Sequence, residues 1–170
     1  AYKRWTHMTP GALHLVISHR KRRSINAQLQ EKFVEGKHAV TVPAYEGEPE
    51  YACTQGTPLV GSCTGRCFIN GAFYEVHDFS LNFGEKKVLC STHHLKVVDK
   101  LTGEVIECSA EVLAKHTCLA HAVVYNRAQG LTIRDQTVVL HDFQSKFFRK
   151  PHLYVGLSRV TKGSDIRLAD

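Results

Sequence analysis

The octapeptide Leu153-Tyr154-Val155-Gly156-Leu157-Ser158-Arg159-Val160 decides how this chain is read. Pro151 opens a helix that runs to Arg159, since proline suits the first helical turn. The Ser158-Arg159 pair at the end of that helix presents a guanidinium at a domain edge. Arginine is always charged and offers a planar, bidentate donor fork for phosphate oxygens. Upstream stands Asn126-Arg127-Ala128-Gln129-Gly130-Leu131-Thr132, closed by the apolar run Thr137-Val138-Val139-Leu140. We read the first segment as the end of a helix over 120–129 stopped by Gly130, and the second as a strand over 137–141. Gly130 lets the backbone approach a phosphate or a sugar closely. Arg127 brings a cation to a nucleic-acid backbone, and Thr132 a hydroxyl. A last strand covers Ile166-Arg167-Leu168.

At the other end of the chain, Leu13-His14-Leu15-Val16-Ile17-Ser18 is a compact apolar segment, read as a buried strand. It runs through the basic cluster Arg20-Lys21-Arg22-Arg23 into residues 24–33, where Ile25, Leu29, Lys32 and Phe33 recur at helical spacing. A strand, a basic turn and a helix make half of a βαβ unit.

Taken together, these segments resemble the fourth, fifth and sixth motifs of superfamily 1 helicases, in the RecD-like and PIF-type DNA helicase branch. That branch reads His-Lys-Ser-Gln-Gly-(Leu/Met)-Thr and then Leu-Tyr-Val-Ala-Leu-Ser-Arg-Val. Here Asn126, Arg127 and Ala128 stand in place of its His, Lys and Ser, while Gln129, Gly130 and Thr132 match. The resemblance implies an α/β, RecA-like second motor domain with a parallel sheet. It implies Arg159 as the catalytic arginine finger, with Arg20, Gln129 and Gly130 also on the nucleotide. Asn126, Arg127, Thr132 and His19 would lie along single-stranded DNA. ATP and Mg2+ would be the cofactors, and the N-terminal RecA-like domain of the same polypeptide the partner. Translocation would run 5′ to 3′.

Residues 36–115 change character. Pro43, Gly47, Pro49, Gly56, Pro58, Gly61 and Gly65 mark turns, followed by strand-like runs at 71–76, 87–90, 95–98 and 104–107 with a hairpin turn at Leu101-Thr102-Gly103. The reading is a β-rich insertion over 36–115 between RecA-like parts 1–35 and 116–170. By resemblance, an SH3-like barrel occupies roughly 72–110, entered through Phe68-Ile69-Asn70-Gly71.

A length of 170 residues allows one domain with an insertion, and 43% hydrophobic content suits a globular protein. No apolar run is long enough for a membrane helix, and no signal-peptide pattern is visible. The net charge of +6 favours phosphate-bearing partners. Six cysteines in a chain of this size read as reduced thiols in an intracellular protein. Cys63 and Cys67 with Cys90 and His94 come nearest to a zinc site, and no metal is assigned because a second tight Cys pair is lacking. Neither a G-x-S-x-G nor an HExxH pattern occurs, and the eleven histidines show no partnering in the sequence. A phosphate loop, G-x-x-x-x-G-K-[ST], is also lacking; the expectation is a fragment of a longer protein that does not turn over ATP by itself. A non-catalytic nucleic-acid-binding module and a viral-type superfamily 1 RNA helicase domain are the competing readings.

Overall fold

The computed structural model describes residues 11–65, 67–80, 94–131 and 133–169. In chain order the elements are β1 (Leu13–Val16), α1 (His19–Val34), β2 (Val40–Val42), β3 (Tyr51–Cys53), β4 (Pro58–Gly61), β5 (Phe73–Ser80), β6 (His94–Asp99) and β7 (Val105–Ser109). They continue with α2 (Ala110–His116), β8 (Thr117–Leu119), β9 (Ala122–Val124), β10 (Val138–Leu140), α3 (Lys150–Ser158) and β11 (Ile166–Leu168). Two compact units divide the chain: unit 1 joins Ala1–Leu29 to His121–Asp170, and unit 2 is Gln30–Ala120.

Unit 1 is built on a four-stranded sheet in the order β11-β10-β1-β9. All three pairings are parallel, with Leu15 opposite both Leu140 and Val123. Parallel strands covered on both faces read as continuous apolar runs, and β1, β9 and β10 are buried along their whole length. Two sequence expectations need correction here. The basic cluster is not a turn, because α1 starts at His19 and takes Arg20–Arg23 into its first turns. Ser18 caps it, its hydroxyl accepting from the Lys21 N–H at 3.2 Å. Nor is 120–129 a helix: it is the strand β9 followed by a 3-10 turn over Tyr125–Ala128. Ala-Val-Val is a run too short for periodicity to separate strand from helix.

Unit 2 holds a β2–β3 hairpin and an antiparallel sheet ordered β7-β6-β5-β4-β8. Its core gathers Val42, Leu59, Phe68, Tyr74, Val76, Leu95, Val97 and Leu113. The expected hairpin is present, with the Asp99 carboxylate accepting from the N–H groups of Leu101 at 2.7 Å and Thr102 at 3.0 Å. Among the described residues β7 does not pair with β8. The strand expected at 87–90 lies outside the described residues. The helix α2, which the sequence pattern did not signal, is capped by Ser109, whose hydroxyl accepts from Val112 N–H. Among the described residues no helix is long and apolar enough to cross a membrane.

Candidate functional site

In open α/β sheets ligands bind beyond the carboxyl ends of the strands. In unit 1 those ends are aligned by register, since Val16 of β1 faces Val124 of β9 while Leu15 faces Leu140 of β10. Three polar segments therefore leave one edge of the sheet: Ile17–His19 from β1, Tyr125–Ala128 from β9, and His141-Asp142 from β10.

Asp142 ties two of them together. Its carboxylate accepts from the Ile17 N–H at 3.0 Å and from the Lys21 ammonium at 2.6 Å. Its backbone φ of 66° is in the left-handed region, which an aspartate tolerates better than most residues. Behind this edge, His14 Nδ1 and His141 Nε2 are 2.9 Å apart, in side chains with only 1% and 7% exposure. Burial holds the His141 imidazole down to about 4, helped by His14 and Lys21 and opposed by Asp142. Burial, then His14, also brings His121 down to about 4. The phenol of Tyr125, pushed up first by burial, donates to the His141 carbonyl at 2.9 Å, fixing the start of the 3-10 turn to the end of β10.

The second part of the site joins the 129–133 loop to the end of α3. Arg159 caps α3 and is half-buried. Its Nη1 donates to the Leu131 carbonyl at 3.1 Å, and Nε and Nη2 donate to the Ser158 hydroxyl at 3.2 and 2.9 Å. The Ile133 N–H donates to the Arg159 carbonyl at 2.7 Å, and Ile133 pairs with Val160 in a parallel bridge. Gly130 turns the loop with φ at 82°. The helix approaches the sheet closely at Gly156, where a β-carbon would stand 2.6 Å from Leu140 Cδ2. A guanidinium is thus held at a defined place by the loop that the sequence pairs with it.

All but one of the residues expected at the site fall among the described residues. His19 and Arg20 are exposed on the first turn of α1, and Asn126 is exposed and Arg127 half-buried on the 3-10 turn. Gln129 and Gly130 are exposed on the loop below Arg159. Thr132 lies outside the described residues. In the same basic cluster, Arg23 is exposed, whereas Arg22 is 4% exposed and faces inward. Sequence reasoning missed Asp142, Lys21 and the His14–His141 pair. The visible signal was a histidine inside an apolar strand and another directly after one; their meeting depends on strand register. Among the described residues no three His, Cys, Asp or Glu side chains gather as metal ligands. The Arg159 guanidinium has the planar donor fork that suits phosphate oxygens.

A family model describing the viral superfamily 1 RNA helicase core domain matches residues 56–167. Among solved structures, the Pif1 helicase from Candida albicans superposes with a TM-score of 0.60 at 14% identity, over 94% of this chain and 45% of that one. A Pif1 helicase solved in a study of unwinding at forked double-stranded DNA gives 0.60 at 17% identity, over 94% and 39%. Bacteroides Pif1 bound to single-stranded DNA gives 0.56 at 16% identity, over 94% and 40%. The chain thus has a fold found in these helicases and spans less than half their length. No curated protein matches it by sequence. The chain belongs to the viral superfamily 1 RNA helicase core-domain family.

Proposed function

We propose, with membership of that helicase family as the premise, that this chain is the C-terminal motor domain of an ATP-dependent helicase. The observation that carries this reading is the Arg159 guanidinium fixed between Leu131 and Ser158 at the end of α3. A preorganised arginine stabilises charge that develops on a transferring phosphoryl group. ATP and Mg2+, held mainly by a preceding RecA-like domain, supply the phosphoryl chemistry. Arg159 approaches the terminal phosphate by exchanging its bonds to Leu131 and Ser158 for phosphate oxygens, with Arg20, Gln129 and Gly130 lining the nucleotide side. Asn126, Arg127, Thr132 and His19 contact the nucleic-acid backbone, where positive charge and hydroxyl donors position a strand without reading its bases. Alternate tightening and release of that grip moves the protein along the strand, 5′ to 3′.

Single-stranded DNA is the preferred track, supported by the Leu153-Tyr154-Val155…Ser158-Arg159 pattern and by a fold shared with Pif1 helicases, one of them solved on single-stranded DNA. An RNA track is favoured instead by the description of the matching family. The full-length protein decides both points. Arg159→Ala is expected to remove ATP turnover and leave strand binding; retained turnover would overturn the finger assignment. Stimulation of the wild-type ATPase by single-stranded DNA over RNA of equal length sustains the DNA reading, and the reverse order replaces it.

A further inference from the structure

Unit 2 carries a thiol–imidazole pair that helicase chemistry does not use. Beyond β4 the chain runs through Ser62-Cys63-Thr64-Gly65 into a small loop, closed where Gly65 and Phe68 exchange two backbone hydrogen bonds of 3.0 Å. Cys63 is exposed on this loop. Its Sγ lies 3.3 Å from His116 Nδ1 and 3.4 Å from the Lys115 carbonyl oxygen.

The imidazole is held far more firmly than a surface histidine. His116 ends α2 and is 8% exposed. Its ring stacks on Phe68 with centroids 6.0 Å apart and planes 11° from parallel, and Phe68 is itself seated edge-on against Tyr74. The Ser62 N–H donates to the His116 carbonyl at 2.8 Å, binding the residue before the thiol to the residue that carries the ring. Gly65 completes the arrangement, for a β-carbon there would stand 2.7 Å from His116 Cε1 and push the ring aside. The other described cysteines make a useful contrast. Cys53, Cys108 and Cys118 are buried, and burial pushes the thiols of Cys53 and Cys108 up to about 12. Cys67 is exposed on the same loop, but the contact with the ring is made by Cys63.

A thiolate, not a thiol, is the nucleophile, and an imidazole within hydrogen-bond reach is the usual means of forming one. We propose that Cys63, with His116 as its base, is a site of reversible modification by small disulfides of the glutathione type. The thiol proton passes to His116 Nδ1 as Cys63 Sγ attacks one sulfur of the disulfide. The Cys63–sulfur bond forms, the original sulfur–sulfur bond breaks, and the departing thiolate takes the proton from His116. The small disulfide is reduced to one thiol, Cys63 is oxidised to a mixed disulfide, and excess thiol reverses the exchange.

The test is labelling of the full chain with a limiting amount of 5,5′-dithiobis(2-nitrobenzoate), with each cysteine followed by peptide mass mapping. Cys63 is expected to react at least about a hundredfold faster than Cys67, the low end of what a positioned base contributes. His116→Gln should bring the two rates together. Gly65→Ala, which keeps the imidazole but displaces it, should slow Cys63 and leave Cys67 alone. Unlabelled Cys53 and Cys108 report an intact core; if His116→Gln exposes them, the Gly65→Ala rates decide the matter. Equal rates at Cys63 and Cys67 in the native chain overturn the proposal, and so does a Cys63 rate unchanged by Gly65→Ala.

Discussion

The two units bury polar groups for different ends. In unit 2, Thr54, Thr57, Asp99 and Thr117 serve turns and a helix end: Thr57 accepts from the Thr54 N–H, Asp99 closes the β6–β7 turn, and Thr117 donates to the Leu113 carbonyl. Each satisfies backbone groups that a bend would otherwise strand. In unit 1, His14 lies inside the sheet and His141 directly after β10, behind the edge where Asp142, Lys21 and the Tyr125 turn converge, while His121 precedes β9. Apart from His116, these buried polar groups of the antiparallel unit complete the fold, while in the parallel unit the His14–His141 pair lies behind the candidate site. Titratable groups with strongly perturbed pKa values cluster at functional sites.

That contrast can be attacked at several depths. The largest effect is expected from Arg159→Ala, which in the full-length protein should lower ATP turnover by about 10³–10⁵-fold, against less than about twofold for Leu101→Ala on the unit 2 hairpin tip, in the usual range for an exposed substitution. Steady-state ATPase assays read both, and comparable losses would erase the division of labour. Next come the cores. Leu15→Ala and Leu59→Ala, both fully buried, should each cost about 2–5 kcal/mol. Hydrogen exchange should show the first loosening β1 and β10 and the second β4 and β5; a common response would make the units one cooperative body.

Acid should separate the units more gently. His121 and His141 sit near 4 in the folded chain against about 6.5 when unfolded. Between those values the unfolded chain binds more protons, so stability falls as pH drops from about 6.5 toward 4, by on the order of 2–3 kcal/mol for each ring. Amide protection of β1 should fade in that window before that of β6, and the replacement His141→Gln should flatten the decline. The smallest effect belongs to Arg127→Ala, which should weaken strand binding and reduce the salt slope by about one. An unchanged slope in a fluorescence anisotropy titration removes Arg127 from the track.

Much of unit 1 was legible because its signals are local. The apolar runs at 13–16 and 138–140 give β1 and β10, Pro151 opens α3, and the motif pattern pairs Arg159 with the 129–133 loop. What stayed hidden depends on contacts across the chain. His14 meets His141 at a separation of 127 residues, and Asp142 reaches Ile17 across 125; neither pairing leaves a trace in spacing. The start of α1 was misplaced for another reason. Lysine and arginine are good helix formers, so once Ser18 caps the helix nothing in Arg20–Arg23 resists it. The strand β9 was hidden by its brevity.

The position of β1 in its sheet also sets an order of events at the ribosome. It pairs on one side with β9 and on the other with β10, both more than a hundred residues downstream. Synthesis at about 5–20 residues per second completes all of unit 2 before either neighbour exists. For that interval the nascent chain holds an apolar strand with two bare edges, while β4, β5 and β6 can each pair with the next strand in sequence. Such distant pairing is slow to form, so Leu13–Val16 waits unpaired until the last third of the chain has been made.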